Sequence, residues 1–335
     1  MDDISNQPPA EPDASVTPAA ASASNAPRPA AELRQTVQAA MLAGGLSQAA
    51  AAKEMGFSGP ALNQWLQGKY KGDNASVDQS VGQWLDARER RQRTAMQIPT
   101  APAWFDSPTA RDVLVTLAMA QADGDIVTVT GVPGVGKTKA CERHRDSNPN
   151  VWLATMRPHC SSLVLALRDV AKAVGIRNVV HGGAGALYEA IEQRVSGTGG
   201  LLIVDEAQHL KVQCFDEIRS LHDSVGIAIA FVGNETVSGR MAGGGKAGDH
   251  AQVYSRVGGR RYIPRAVKGD VRAQVDAWGL ECADCIALLE EVAARAGALR
   301  LVTKTIRRAA YHAGGIDNVT VERIKEAWRN LGAGQ

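Results

Sequence analysis

The sequence predicts an α/β fold, in which helices cover a parallel β-sheet, preceded by an all-α domain and followed by a helical subdomain. Three observations support this prediction. From residue 108 onward, short apolar and β-branched runs alternate with helical stretches, as in parallel sheets covered by helices. A glycine-rich stretch directly follows the first of these runs. After Ile263 the β-rich runs stop, and amphipathic helical patterns follow, each closed by glycine.

The length and charge balance indicate a globular protein of two or three domains. A chain of 335 residues exceeds what one hydrophobic core usually organises. Its 37 basic and 35 acidic residues nearly cancel, so affinity for nucleic acid must come from local clusters of charge. No apolar run approaches the roughly 18 residues of a membrane span, and the N-terminus lacks the pattern of a signal segment. We therefore expect a cytoplasmic protein without a membrane partner.

The five cysteines are too few and too scattered for a disulfide framework in a chain of this length. Cys282 and Cys285 form a CxxC pair, but zinc usually takes four ligands and no second CxxC or HxxxH pattern accompanies this one. We therefore expect reduced thiols, with Cys282 and Cys285 as two small buried residues on one face of a helix.

Residues 1–30 predict a disordered tail, because they are mostly proline, alanine, serine and acidic residues with almost no large apolar side chain. Residues 31–93 predict a helical domain with a helix-turn-helix at 46–70. Gly56 would make the turn, Ser58 would cap the second helix, and Pro60 would lie in its first turn. Four apolar residues have the spacing of one shared core: Met55, Phe57, Leu62 and Trp65.

The second helix of this segment would present uncharged amides to the major groove of DNA, with lysines after it for the phosphates. The candidate DNA-binding residues are Asn63, Gln64, Gln67, Lys69 and Lys71. The absence of arginine from this face leaves a protein-docking helical domain as the alternative. With DNA as the partner, amides and lysines indicate modest sequence preference, so the domain would add affinity rather than select a site.

Prolines near residues 97–109 interrupt the helical periodicity, so residues 94–107 are predicted to form a linker. Residues 108–264 would then form the sheet-containing core, and 265–335 the helical subdomain. Residues 256–335 hold fourteen lysines and arginines against nine acidic residues. This surplus could meet DNA phosphates or an acidic partner, and a solvated helix face is the alternative.

The stretch GVPGVGKT, residues 131–138, has the sequence of a phosphate-binding loop and lies between a β-branched run and a helical stretch, as that loop requires. Its backbone N–H groups and the helix N-terminus would hold the phosphates of a nucleotide. Lys137 would neutralise charge on the β- and γ-phosphates, and Thr138 would hold Mg²⁺. The candidate nucleotide-binding residues are Gly131, Val132, Pro133, Gly134, Val135, Gly136, Lys137, Thr138, Lys139 and Asp205.

Asp205 and Glu206 follow the apolar run 201–204, at the carboxyl end of a predicted strand, where ligands of open α/β sheets bind. Asp205 would belong to the Mg²⁺ shell together with Thr138. Glu206 could orient and deprotonate an attacking water, so hydrolysis of the nucleotide is expected. The alternative for Glu206 is an ordinary surface acid.

Further polar residues could complete the site. Asn234 ends another apolar run and could contact the γ-phosphate or the water, although a strand-ending asparagine turn is an equal alternative. Arg256, Arg260 and Arg261 could reach the γ-phosphate of a neighbouring subunit, or form a solvated or DNA-facing basic cluster. Arg300 could approach the nucleotide from the helical subdomain, or remain a surface arginine. The candidate catalytic residues are Lys137, Glu206, Asn234, Arg256, Arg260 and Arg300.

Together these features resemble the AAA+ ATPases. Within that superfamily the chain resembles the family of the B transposition protein of phage Mu, over most of the sequence from residue 30 to 332. The strings that carry this resemblance are NPNVWLATMRPHCSS, GLLIVDE, DEAQHL, VGNETVSGRM, YSRVGGR and AGALR. The chain departs from the family in its proline- and alanine-rich tail and in the glycine-rich stretch 242–252.

The resemblance implies an AAA+ P-loop core and an ATPase with ATP and Mg²⁺ as cofactors. It also implies binding to double-stranded DNA largely without sequence preference, assembly with itself into a helical filament, and activation of a DDE-type transposase. Hydrolysis would release the DNA, and the location would be the cytoplasm of a bacterial host. Two other functions stay open: a nucleotide-sensing helix-turn-helix transcription regulator, and an ATPase of the AAA+ helicase-loader type.

Overall fold

The computed structural model describes residues 29–177, 183–241 and 257–332. The chain divides into two compact units between Thr94 and Ala95. Residues 1–28 of the predicted tail, the glycine-rich stretch 242–252 and Arg256 lie outside the described residues. A search of the described ranges for a helix long and apolar enough to cross a bilayer returns none.

The N-terminal unit is built from α1 (Ala30–Ala43), α2 (Gln48–Met55), α3 (Gly59–Leu66) and α4 (Asn74–Gln97). Gly56 ends α2 in the left-handed conformation, with φ of 81°. The Ser58 hydroxyl oxygen accepts a hydrogen bond from the backbone N–H of Ala61 and caps α3. Helices α2 and α3 therefore form the predicted helix-turn-helix. Helix α4 continues to Gln97, into the segment predicted as a linker.

One apolar core holds these helices together. Its buried members are Leu33, Val37, Ala51, Ala52, Met55, Leu62, Trp65, Val77, Val81, Trp84 and Leu85. Trp65 donates its indole N–H to Asp78 at 2.7 Å, and Trp84 donates to Glu54 at 2.8 Å. Each large ring is buried with its one polar hydrogen bonded, so its burial leaves no unpaired donor.

The second unit contains the predicted parallel sheet. Its strands are β1 (Ile126–Gly131), β2 (Val151–Thr155), β3 (Leu201–Asp205), β4 (Ala228–Gly233) and β5 (Val257–Ile263). All are parallel, in the order β2-β3-β4-β1-β5. The sequence did not predict β5, since only its two end residues, Val257 and Ile263, are buried. As the edge strand beside β1, it is covered too little to show an apolar pattern.

Helices cover both faces of the sheet. Helices α5 (Pro108–Asp123) and α6 (Lys137–Ser147) lie on one face; α7 (Leu163–Ala173), α8 (Ala184–Val195) and α9 (Val212–Val225) lie on the other. The short helix α10 (Thr236–Met241) follows β4. Along β3, Leu201 and Ile203 pack towards α5 and α6, whereas Leu202 and Val204 pack towards α7 to α9. The central strands are thus buried on both faces, as a parallel sheet between helices requires.

The chain ends in the predicted helical subdomain, formed by α11 (Lys268–Trp278), α12 (Ala283–Ala293), α13 (Ala298–Ala313) and α14 (Val321–Asn330). It has its own apolar core, which includes Trp278, Leu289, Val302, Ile306 and Ile324. Helices α11 and α13 end at left-handed glycines, as predicted, whereas α12 ends at Ala294.

The expectation that both cysteines of the CxxC pair are buried is wrong for Cys282. Cys282 is exposed and precedes α12, where its sulfur accepts a hydrogen bond from the backbone N–H of Cys285 at 3.2 Å. Only Cys285 is buried. The pair acts as a helix cap because Cys282 lies just before the first turn and not inside it.

Asp270 joins the helical subdomain to the sheet. It is fully buried in the first turn of α11. Its carboxylate accepts hydrogen bonds from the backbone N–H of Thr109 at 2.8 Å, from the Thr109 hydroxyl at 2.6 Å and from the backbone N–H of Val267 at 2.9 Å. Because Thr109 lies in the first turn of α5, this carboxylate fixes the start of one helix against the start of another.

Candidate nucleotide-binding site

The candidate phosphate loop lies between the carboxyl end of β1 and the N-terminus of α6. Gly136 precedes α6 with φ of 98°, and no described side chain caps this helix. A Cβ atom at Gly136 would meet no described atom within 4 Å, so the space in front of the helix is open. Uncapped N–H groups that face open space at a helix N-terminus fit an anion such as a phosphate.

Lys137 brings a positive charge to the same place. Its Nζ donates hydrogen bonds to the carbonyl oxygens of Gly131 at 2.8 Å and Val132 at 2.9 Å. Burial lowers the pKa of Lys137, and nearby Arg300 lowers it further, whereas Asp205 and Glu206 act in the opposite direction. A partly buried ammonium beside an uncapped helix N-terminus would be stabilised by a bound phosphate, so the loop fits a nucleotide.

The remaining residues of the loop have different surroundings. Val135 is buried in the core beneath the loop, and the backbone N–H of Val132 donates to the last residue of β5 at 3.1 Å. Pro133 is exposed. Lys139 is also exposed, and its ammonium pairs with Glu142 at 2.6 Å. The two valines therefore anchor the loop, and the side chain of Lys139 lies on its own helix.

Thr138 and Asp205 lie where a metal ion would be held. The Thr138 hydroxyl donates to Asp205 Oδ2 at 2.8 Å, and the backbone N–H of Glu206 donates to Oδ1 at 2.9 Å. Burial raises the pKa of the Asp205 carboxyl, and these two hydrogen bonds oppose the shift. A hydroxyl and a carboxylate are oxygen ligands of the kind that Mg²⁺ takes, so the pair fits this ion.

Glu206 has an unusual backbone. With φ of 54° and ψ of 35°, it is a non-glycine residue in the left-handed region, directly after β3. Such a conformation costs of order 1–3 kcal/mol and is concentrated at functional sites. Its carboxylate accepts a hydrogen bond from the amide nitrogen of Gln208.

The structure also brings Gln208 into this group, a residue that the sequence analysis did not select. Gln208 Oε1 accepts a hydrogen bond from the backbone N–H of Asn234 at 3.3 Å. Glu206, Gln208 and Asn234 are therefore joined, although Asn234 follows a different strand. The only sequence signal for Gln208 is its place in DEAQHL, two residues after Glu206.

Asn234 forms the strand-ending turn considered as one alternative. Its Oδ1 accepts hydrogen bonds from the backbone N–H of Thr236 at 3.0 Å and from the Thr236 hydroxyl at 2.6 Å. The side chain thus starts α10. A contact with the γ-phosphate would use the amide nitrogen of Asn234, and it stays a prediction.

Arg300 lies in the first turn of α13, where the helical subdomain meets the phosphate loop. The backbone N–H of Arg300 donates to the carbonyl oxygen of Gly134 at 3.3 Å. A Cβ atom at Gly134 would lie 2.0 Å from the carbonyl oxygen of Gly297, so only glycine permits this approach. The Arg300 side chain is exposed and lies close enough to Lys137 to lower its pKa.

Arg260 and Arg261 lie on the edge strand β5. In register they pair with Thr128 and Val129, which precede the phosphate loop. Arg261 forms an ion pair with Asp112 of α5. These two arginines are therefore placed along the sheet edge and not over the loop of their own chain, and their action on a neighbouring subunit stays a prediction.

A second polar cluster lies between β2 and α7. His159, Cys160 and Asp169 offer ligand atoms within 4.8 Å of one another. Cys160 donates to Asp169 Oδ2 at 3.2 Å and accepts from the backbone N–H of Arg157 at 3.3 Å, while Lys172 pairs with Asp169 Oδ1 at 2.9 Å. These bonds account for the positions of Cys160 and Asp169 without a metal ion.

The candidate DNA-binding residues of the N-terminal unit are all exposed. Asn63 Oδ1 accepts hydrogen bonds from the amide nitrogens of Gln48 and Gln67, each at 3.2 Å. Asn63, Gln64 and Gln67 lie on α3 and at its end, and Lys69 and Lys71 follow. The helix-turn-helix therefore presents an amide-rich surface flanked by lysines.

The parallel sheet, the phosphate loop after β1 and the helical subdomain packed on that loop define an AAA+ ATPase. The AAA domain family model matches residues 121–241. A second model, described as Mu B transposition protein, C terminal, matches residues 255–331. The chain belongs to the Mu B transposition protein family, as its sequence motifs predicted.

Two curated relatives support this assignment. The chain is 33% identical over 281 residues to the ATP-dependent target DNA activator B of Escherichia phage Mu, covering 84% of this chain and 88% of that protein. It is 36% identical over 262 residues to the Mu-like prophage FluMu DNA transposition protein B of Haemophilus influenzae, covering 78% and 90%.

Solved structures with low sequence identity share the fold. Cdc6p from Pyrobaculum aerophilum gives a TM-score of 0.55 at 16% identity, covering 69% of this chain and 70% of that one. The ORC2 protein from Aeropyrum pernix gives 0.52 at 15% identity, covering 65% and 66%. At this identity the likeness bears on the fold alone, and it agrees with the predicted α/β core.

Proposed function

We propose that this ATPase binds DNA in an ATP-dependent manner, assembles on target DNA with little sequence preference, and activates a partner transposase of the DDE type. The printed name of the phage Mu relative, a target DNA activator that depends on ATP, supports this function. The observation that carries it is the hydrogen bond from Arg300 to Gly134, which seats the helical subdomain on the phosphate loop. Through this contact, ATP in the loop would bias the position of a basic subdomain.

The chemistry at the loop would follow from the residues already described. The N–H groups of α6 and the Lys137 ammonium would bind the phosphates, and Thr138 and Asp205 would hold Mg²⁺. The metal ion would supply charge neutralisation at the β- and γ-phosphates. Glu206 would orient the attacking water and take its proton, and Asn234 would contact the γ-phosphate or that water.

DNA would be bound by more than one part of the chain. The exposed amides of α3, with Lys69 and Lys71, would meet one stretch of the duplex. Helix α13 contains no acidic residue, and its exposed basic residues are Arg300, Lys304, Arg307 and Arg308. Contacts of this kind go mainly to phosphates, so binding would depend on salt more than on sequence.

Self-assembly would complete the ATPase site. Arg256, Arg260 or Arg261 would stabilise the charge that develops on the γ-phosphate in a neighbouring subunit. The arrangement of Arg260 on the sheet edge supports a role outside its own phosphate loop. Copies bound side by side along a duplex would form the helical filament, and hydrolysis would release them.

This function is tested by measuring binding to two duplexes of unrelated sequence with ATP, with ADP and without nucleotide, together with negative-stain images of the ATP sample. We expect ATP-dependent binding of similar affinity for both duplexes, and filaments along the DNA. Tight binding of a dimer to one operator without ATP would contradict the proposal and favour a transcription regulator.

A further inference from the structure

The side chain of Gln208 is held at both ends. Its amide nitrogen donates to Glu206 Oε2, and its amide oxygen accepts from the backbone N–H of Asn234 at 3.3 Å. The residue is half-buried, in the 3-10 turn (Ala207–His209) that follows Glu206. One carboxamide thus connects the ends of β3 and β4, the strands whose carboxyl ends carry Glu206 and Asn234.

The backbone leaves room for this connection at Gly233. A Cβ atom there would lie 2.3 Å from Gln208 Oε1, closer than atoms can approach, so any side chain at position 233 would displace the carboxamide. The last residue of β4 therefore forms a wall against which the Gln208 amide rests. The position of this amide is fixed by two hydrogen bonds and by a close backbone contact.

Glu206 needs such support because of its own conformation. Its left-handed backbone is sparsely populated by residues with a side chain, so the surrounding structure must hold it. The hydrogen bond from Gln208 engages one carboxylate oxygen, Oε2, and leaves Oε1 for the attacking water. A side chain held by its neighbours keeps the geometry that proton transfer requires.

We propose that Gln208 is a positioning residue for ATP hydrolysis, which orients the Glu206 carboxylate and ties it to the backbone of Asn234. The inference rests on the role proposed for Glu206. Gln208 would act through Glu206 and would touch neither the nucleotide nor the metal ion. Its loss should therefore slow the chemical step and leave nucleotide binding intact.

The test compares three variants of the full-length protein. Gln208→Met keeps the length of the side chain and removes both hydrogen bonds. Gln208→Glu keeps the acceptor for Asn234 and places a second carboxylate against Glu206. Gln213→Met, an exposed glutamine on α9, is the matched control. Steady-state ATP hydrolysis gives kcat and KM, and binding of a non-hydrolysable ATP analogue reports an intact site.

We expect kcat to fall about 10-fold or more in both Gln208 variants, with KM and analogue binding unchanged. The control should match the parent protein. Parent kcat in either Gln208 variant would overturn the inference. So would a joint loss of kcat and analogue binding, because that pattern belongs to a residue that supports the whole site.

A double variant separates this inference from the proposed function. If Gln208 acts through Glu206, adding Gln208→Met to Glu206→Gln should cause no further loss of kcat. A further loss would contradict the positioning role. If Glu206→Gln alone hydrolyses ATP at the parent rate, the role of Glu206 fails and this inference fails with it. If Glu206→Gln is inactive while the Gln208 variants keep the parent rate, only the role of Gln208 is wrong.

Discussion

The backbone N–H of Arg300 donates to the carbonyl oxygen of Gly134, so the first turn of α13 rests directly on the phosphate loop. Gly134 permits the approach because a side chain there would collide with the Gly297 carbonyl. The contact joins the nucleotide site to a basic helical subdomain with no intervening residue. A change in the loop on nucleotide binding would therefore act on that subdomain directly.

The first prediction concerns Arg300 itself. Replacing Arg300 by alanine removes a cation that lies close enough to Lys137 to lower its pKa. We expect ATP hydrolysis to fall about 10-fold or more, since arginine charge on the γ-phosphate stabilises the transition state. Steady-state hydrolysis measures this effect. The exposed neighbour Arg295 supplies the control variant Arg295→Ala, and an equal loss in both would contradict a specific role for Arg300.

Lys137→Ala should weaken ATP binding. The substitution removes the ammonium that lies at the uncapped N-terminus of α6, and a hydrogen bond to a charged group contributes about 1.5–3 kcal/mol. The affinity for ATP should therefore fall about 10- to 100-fold, and ATP-dependent DNA binding should be lost. Titration calorimetry with ATP gives the affinity. Lys268→Ala removes an exposed lysine of the same unit and should leave it unchanged.

Asp270→Ala should destabilise the ATPase unit. The variant leaves the buried donors of Thr109 and Val267 without their carboxylate, which should lower the free energy of unfolding by about 2–3 kcal/mol. Urea unfolding followed by circular dichroism measures the change. Asp276→Ala, at an exposed ion pair with Arg272, should change stability by no more than about 0.5 kcal/mol. Equal losses in the two variants would contradict the account of the joint.

The lysines after α3 should contribute to DNA binding through phosphates. A double change of Lys69 and Lys71 to alanine should weaken binding to all duplex sequences alike and reduce the slope of affinity against salt by about 1 per lost contact. Fluorescence anisotropy at several salt concentrations measures this slope. The exposed residue Lys53, on α2, provides the control Lys53→Ala. An unchanged slope in the double variant would favour the protein-docking alternative for this unit.

The phosphate loop and the strands β1 to β4 were predictable because their signals are local. The glycine spacing, Lys137 and Thr138 occur within one short stretch, and each buried strand is a continuous apolar run. Strand β5 lacked this signal, since its glycines and arginines are stabilised by pairing with β1 at the sheet edge. Edge strands expose enough surface to lose the apolar pattern.

Other features depend on contacts between residues far apart in sequence. The ion pair of Arg261 with Asp112 joins residues separated by 149 positions, and no local pattern predicts it. The carboxamide of Gln208 became a candidate only when the structure brought the end of β4 against the turn after β3. The chemistry of a residue type can be read from sequence, but its partner depends on the fold.

The central claim is that ATP hydrolysis sets how long the protein stays on DNA, and Glu206→Gln tests it most directly. The variant keeps the size of the side chain and removes the carboxylate that would take the proton of the water, so ATP should bind and persist. The measurement is the rate of dissociation from labelled duplex DNA after a competitor is added in the presence of ATP and Mg²⁺. We predict release at least about 10-fold slower than for the parent protein. A variant that hydrolyses ATP slowly yet releases DNA as fast as the parent would contradict the account.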